Sequence, residues 1–95
     1  MNLYCIVRRD AWTPASLEAG SARADAENAK RTDQVRHIRS YVLDEGDGRV
    51  GTICFYQAVS AQAIREQSAA AGHPDPEIVP VSGVSVVRPD PEPVR

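Results

Sequence analysis

The stretch VRHIRSYVLDEGDGRVGTICFYQA, residues 35–58, has the pattern of a β-hairpin and decides the fold. β-Branched and aromatic residues dominate both halves, as is typical of strands. The segment EGDG, residues 45–48, separates the two halves, and its glycines suit the positive φ of a tight turn. The sequence therefore predicts a strand over 35–44 that pairs with a second strand over 49–58.

The segments on either side of this hairpin supply the remaining elements. Upstream, 3–8 predicts a strand, and the alanine-rich segment 13–31 predicts a helix that Thr13 caps. Downstream, 60–72 predicts a second helix and 77–87 predicts a last strand. The order β-α-β-β-α-β predicts a ferredoxin-like α+β fold, in which a four-stranded antiparallel sheet carries both helices on one face.

A single domain, over residues 1–87, is the expectation for a chain of 95 residues. The last segment, 88–95, alternates proline with charge and predicts an extended Pro-rich tail, or an arm that crosses to a partner subunit. Large apolar residues are few, with one Phe, one Trp and one Met, so a monomer buries only a thin core. We therefore expect a homodimer, and the bare sheet face favours an assembly like a dimeric α/β barrel.

Composition argues against several classes of protein. The formal net charge is −2, and basic residues form no dense patch, which argues against nucleic acid as a partner. No apolar run approaches membrane-spanning length, and the apolar run near the N-terminus is too short for the hydrophobic region of a signal peptide. Cys5 and Cys54 form no CxxC pair, which argues against structural zinc. We expect a cytoplasmic protein with free thiols and no membrane partner.

Side-chain alternation assigns the strand residues to the two faces of the predicted sheet. Ile53 and Phe55 suit the core beneath the helices, as do Ile38 and Val42 on the neighbouring strand. The opposite, open face then collects an imidazole, two guanidinium groups, a thiol and three phenols. These side chains are those of Tyr4, Arg8, His37, Arg39, Tyr41, Cys54 and Tyr56.

This open face is the predicted binding site, because aromatic walls with a few convergent polar groups are typical of ligand clefts. Two sheets that pack open face to open face would enclose it. Guanidinium forks hold anionic groups, and phenols orient a substrate. The predicted ligand-binding residues are Tyr4, Arg8, Arg39 and Tyr56.

His37 is the candidate for chemistry, because an imidazole titrates near neutral pH and serves as general acid or base. Tyr41 joins it as a predicted catalytic residue. Imidazole and thiolate are also ligands of divalent transition metals. His37 and Cys54 are therefore the predicted metal ligands.

The segment SYVLDEGDGRVGTICFYQAVSAQAIREQSAAAGHPDPEIVPV, residues 40–81, resembles the second half of a family of small bacterial proteins of largely unknown function. The family pattern has S-Y, a hairpin into C-x-Y, then A-P-S-x-E-A-I-R-E and A-G. A first strand with V-E-R extends the likeness to nearly the whole chain except the tail. The matching residues are Val7, Arg9, Ser40, Tyr41, Cys54, Tyr56, Ser60, Ala63, Ile64, Arg65, Glu66, Ala71 and Gly72.

The resemblance implies a ferredoxin-like homodimer, and one member of the family is described as a nickel-binding protein. It thereby implies nickel or another divalent transition metal as cofactor. This chain departs from the family pattern, with Arg8 in place of Glu, His37 in place of Trp, and Arg39 in place of the His before S-Y. The two arginines remove two possible metal ligands and add positive charge, while His37 and Cys54 remain.

Three functions stay open at this point. The first is a small homodimeric ligand-binding protein similar to the nickel-binding family, with its site on the open sheet face. The second is a cofactor-free enzyme of the dimeric α+β barrel type, an isomerase, cyclase or oxygenase that acts on a small anionic or aromatic substrate. The third is a structural or regulatory interaction module, in which the aromatic side chains form the interface.

Overall fold

The computed structural model describes residues 1–92 and confirms the predicted ferredoxin-like α+β class. The strands pair antiparallel in the order β2-β3-β1-β4. Within residues 1–92, neither helix has the length and apolar character that a membrane span needs. The elements are β1 (Asn2–Trp12), α1 (Pro14–Lys30), β2 (Val35–Gly46), β3 (Arg49–Ala58), α2 (Ala61–Ala70) and β4 (Glu77–Pro80).

Local sequence signals explain where the two helices begin. The Thr13 side chain accepts a hydrogen bond from the backbone N–H of Ser16, and the Ser16 hydroxyl accepts one from the Thr13 N–H, which makes a capping box. Ser60 Oγ likewise accepts from the Ala63 N–H at 3.1 Å. These caps satisfy backbone donors that would otherwise lack partners, and they fix the start of each helix above the sheet.

The helices cover the face of the sheet that alternation assigned to the outside. Ile6 of β1 and Tyr56 of β3 pack with Ile64 of α2 in the buried core. Ile53 and Phe55, which alternation assigned to the core, lie on the open face and are half-buried. The predicted face assignment is therefore wrong for β1 and β3. The reason is that both faces of these strands carry apolar residues. Alternation shows which residues share a face, but it does not show which of the two faces the helices cover.

A β-bulge in β2 separates residues that simple alternation places together. His37 pairs with Tyr56 and Arg39 pairs with Phe55, so β2 advances by two residues while β3 advances by one. The extra residue reverses the alternation, which puts His37 on the helix face but Arg39 and Tyr41 on the open face. The prediction that these three residues share a face is wrong for that reason.

The last strand is shorter than predicted. β4 ends at Pro80, whereas the sequence predicts a strand over 77–87. Proline has no N–H to extend a ladder, and the next residue, Val81, donates one further bond to the Leu3 carbonyl at 2.9 Å. The chain then leaves the sheet edge.

The segment that follows β4 crosses the open face to the opposite edge of the sheet. β4 and β2 are the two edge strands, yet Asp90 accepts hydrogen bonds from Arg39 Nη1 at 2.5 Å and from the Tyr41 hydroxyl at 2.6 Å. The tail predicted over 88–95 therefore packs against its own chain in its described part. Residues 93–95 of this tail lie outside the described residues, and the arm to a partner subunit stays a prediction.

Candidate functional site

A cavity lies between the sheet and the two helices. Its volume is about 100 Å³, whereas a single water needs about 10–15 Å³. The space therefore suits several waters or a small organic molecule. Four of the predicted site residues line it from the three long strands. They are Arg8, His37, Cys54 and Tyr56.

The other predicted site residues lie elsewhere. Tyr4 is on the same face but belongs to the buried core. Arg39 and Tyr41 are on the open face with Asp90, and Tyr41 is 39% exposed. The predicted catalytic pair of His37 and Tyr41 is therefore divided between opposite faces of β2. The prediction that these residues share the open face is wrong, because the helices cover the wall of the sheet that carries Arg8, His37 and Cys54.

Arg8 is a buried cation without a carboxylate partner among residues 1–92. Its side chain is 7% exposed, its Nε donates to the Pro74 carbonyl at 2.9 Å, and its Nη2 donates to Ser68 Oγ at 2.6 Å. Burial lowers the pKa of the Arg8 guanidinium, which still remains charged at neutral pH. Because neither acceptor carries a charge, Arg8 brings an unpaired positive charge to the cavity wall.

A chain of hydrogen bonds runs along the β2 side of the cavity. His37 Nε2 lies 2.7 Å from Ser40 Oγ, and the Ser40 hydroxyl donates to Cys54 Sγ at 3.0 Å. The His37 ring stacks on Tyr56 with centroids 4.7 Å apart and planes 17° apart. Burial raises the pKa of the Tyr56 phenol. Sequence reasoning missed Ser40, because only the bulge brings it to the face of Cys54.

Helix α2 contributes a second polar group that sequence reasoning missed. Gln67 is 3% exposed and lines the cavity, and its Nε2 has no hydrogen-bond partner within the described part of the chain. The signal in the sequence is its helical spacing, since Gln67 follows Ile64 by three residues and Ala63 by four. That spacing places Gln67 on the apolar face of α2.

His73 closes the other end of the cavity by joining the segment after α2 to α1. Its Nε2–H donates to the Gly20 carbonyl at 2.8 Å, and its ring meets Trp12 edge-on at 5.0 Å between centroids. Burial lowers the pKa of His73, and the positive charges of Arg8 and Arg23 act in the same direction. The neutral imidazole is therefore the form that this packing favours.

The lowered pKa of His73 predicts a stability that depends on pH. In the unfolded chain His73 titrates near pH 6.5, so below that pH the unfolded state binds a proton that the folded state resists. The contribution of neutral His73 is complete above about pH 6.5 and is lost as the pH falls through the lower folded pKa. We expect the free energy of urea unfolding to decline from about pH 7 to about pH 5, and to decline less in His73→Gln. Equal declines in the two proteins would show that His73 is not the group responsible.

The described residues do not provide a complete set of ligands for a divalent metal. Residues 1–92 bring together no group of three His, Cys, Asp or Glu side chains. The predicted ligands His37 and Cys54 are linked through Ser40, and the cationic Arg8 in the same cavity opposes a second cation. Nickel normally takes several imidazole, carboxylate or thiolate ligands, so this donor pair does not fit a nickel centre within one chain.

The fold and the site together define a small ferredoxin-like α+β domain with a polar cavity between sheet and helices. A sequence model described as "Nickel responsive protein SCO4226-like" matches residues 4–81. The chain belongs to this SCO4226-like family. None of the curated proteins matches the chain.

Solved structures agree with the fold. The chain is similar to SCO4226 from Streptomyces coelicolor A3(2), with a TM-score of 0.66 and 21% identity over 87% of this chain and 99% of that one. It is also similar to the C-terminal domain of MgtC from Mycobacterium tuberculosis, with a TM-score of 0.55 and 9% identity over 83% and 84% of the two chains. SnoaB, a cofactor-independent oxygenase from Streptomyces nogalater, has a TM-score of only 0.49 at 18% identity over 92% and 98%. At these identities the likeness to SCO4226 and to the MgtC domain shows the fold alone, and the likeness to SnoaB supports no conclusion.

Proposed function

We propose that this protein is a small homodimeric ligand-binding protein that holds its ligand in the cavity between sheet and helices. The observation that supports the proposal is the preformed cavity itself. Four different elements contribute polar side chains to its wall, namely Arg8, His37, Cys54 and Gln67. A concave, mostly apolar space with a few polar groups is the usual form of a small-molecule site. The cavity residues thus support binding on the helix face rather than on the open face.

The open face of the sheet supports the homodimeric part of the proposal. Both helices lie on the other side, and the segment after β4 covers the open face only in part, so Ile53 and Phe55 are half-buried and Val79 is 43% exposed. A chain of this size gains substantially from burying such apolar surface against a second copy. A dimer through this face would leave the ligand cavity of each subunit unobstructed.

Nickel is the second candidate ligand, and the description of the family as nickel responsive favours it. His37 and Cys54 would then be the donors in the cavity, and further ligands would have to come from outside this pair. The buried charge of Arg8 opposes such a site. The side chains of this member therefore support a ligand other than a bare metal ion.

Native mass spectrometry of the untagged protein, combined with elemental analysis, tests the proposal. The informative variant is Ala24→Leu, because Ala24 of α1 is 7% exposed and lines the cavity, so a leucine there fills the space for a ligand. Ala22→Leu, at an exposed position of the same helix, is the matched control. We expect a dimer that retains a small organic molecule in the wild type and in Ala22→Leu but not in Ala24→Leu.

Two other outcomes would change the conclusion. Nickel retained by the wild type and lost in His37→Ala, at an unchanged dimer mass, would identify the metal as the ligand. A monomer whose small-molecule content is the same with and without Ala24→Leu would contradict the proposal as a whole.

A further inference from the structure

We infer that the ligand of this cavity is a small carboxylate, held by Arg8 and Gln67. The inference rests on the proposed ligand-binding function and adds the chemical class of the ligand. Two independent features of the cavity wall lead to it, one on β1 and one on α2.

The first feature is the unbalanced charge of Arg8. A guanidinium has five N–H donors, and the hydrogen bonds of Arg8 to described residues use two of them, to Pro74 and Ser68. Asp25 also lines the cavity, but it is an exposed residue and forms no ion pair with Arg8 within 4.0 Å. A buried cation needs a counter-charge as well as hydrogen-bond acceptors, and a bound anion supplies both.

The second feature is the unpartnered amide of Gln67. Buried donors in native proteins nearly always have an acceptor, yet Gln67 Nε2 has none among residues 1–92. Gln67 precedes Ser68, which already contacts Arg8 Nη2 at 2.6 Å. Arg8 and Gln67 also line the same cavity of about 100 Å³, where we expect one anion to satisfy both donors.

The volume and the lining of the cavity favour a carboxylate over a larger oxyanion. A planar carboxylate matches the planar guanidinium and accepts two parallel hydrogen bonds from it. Ile6, Ile64 and Trp12 supply apolar walls that suit a short hydrocarbon tail. A volume of about 100 Å³ suits a ligand with a few heavy atoms beyond the carboxylate.

Calorimetric titration with propanoate and its neutral isostere propanamide tests the inference. We expect propanoate to bind at least about tenfold more tightly, because hydrogen bonds to a charged partner are roughly twice as strong as neutral ones. Arg8→Met and Gln67→Leu should each weaken propanoate binding by about tenfold or more and change propanamide binding little. Arg9→Met is the matched control, because Arg9 is an exposed neighbour that pairs with Glu45 outside the cavity, and it should leave both affinities unchanged.

The outcomes separate this inference from the proposal on which it rests. Equal affinities for the two probes, or propanoate binding that survives both Arg8→Met and Gln67→Leu, would overturn the assignment of a carboxylate. Failure of the wild type to bind propanoate would overturn it as well. In each case the comparison of Ala24→Leu with Ala22→Leu still decides whether the cavity binds any ligand.

Discussion

Replacement of Trp12 by alanine is expected to lower the free energy of unfolding by about 3–5 kcal/mol in a urea titration. Trp12 is 4% exposed, its Nε1 donates to Thr52 Oγ1 at 3.4 Å, and its ring meets His73 edge-on. Truncation therefore removes a large apolar surface and leaves a void that adjoins the cavity. A small domain has only about 5–15 kcal/mol in total, so this single change should unfold part of the population at moderate temperature.

The contact between Trp12 and α1 sets the control for this experiment. A Cβ atom added to Gly20 would lie 2.9 Å from Cζ3 and 3.1 Å from Cη2 of Trp12, so the helix backbone approaches the ring as closely as a glycine allows. Trp12→Phe keeps part of this contact and should cost less than Trp12→Ala. A loss of under about 1 kcal/mol for Trp12→Ala would contradict the close packing of α1 on this ring.

The order of the elements could be predicted from the sequence because its signals are local. The turn at 45–48 joins β2 to β3, and the caps at Thr13 and Ser60 mark the starts of both helices. Each signal depends on residues within one turn of the chain, so no tertiary information is needed. The ferredoxin-like arrangement then follows from the number and order of the elements.

The side of the sheet that carries the helices could not be predicted, because it is a tertiary property. In β1, Leu3 and Val7 form one apolar row, and Tyr4 and Ile6 form the other. Either row can pack under a helix, and in the structure the helices cover the row of Tyr4 and Ile6. Alternation therefore identified residues that share a wall of the cavity but placed that wall on the wrong side.

The composition of the site depends on the register between β2 and β3, and the sequence shows this register only in part. The extra residue in β2 moves Ser40 onto the face of Cys54 and separates His37 from Arg39, and no glycine marks the place. Gln67 could be found from the helical spacing of its apolar neighbours, but its missing partner is visible only in three dimensions. The position of Ser40 could not be predicted, because a bulge changes which face of the sheet a residue lies on and the sequence does not show the bulge.

Ile64→Ala should lower the free energy of unfolding by about 2–5 kcal/mol, again by urea titration. Ile64 is 1% exposed, and it joins α2 to the buried side chains of Ile6 and Tyr56. Its truncation removes apolar contacts in the centre of the core and enlarges the cavity that it lines. The size of the decrease in the free energy of unfolding measures how much the side chains on the helix-covered face contribute to the core.

Ile38→Ala is the matched substitution, because the same side chain is removed at the bulge of β2. Ile38 is 48% exposed, so its loss should cost less than about 1 kcal/mol. Alternation without a bulge places Ile38 in the core and predicts the opposite ranking. A larger cost for Ile38→Ala than for Ile64→Ala would therefore contradict both the face assignment and the bulge that brings His37 and Ser40 to the cavity.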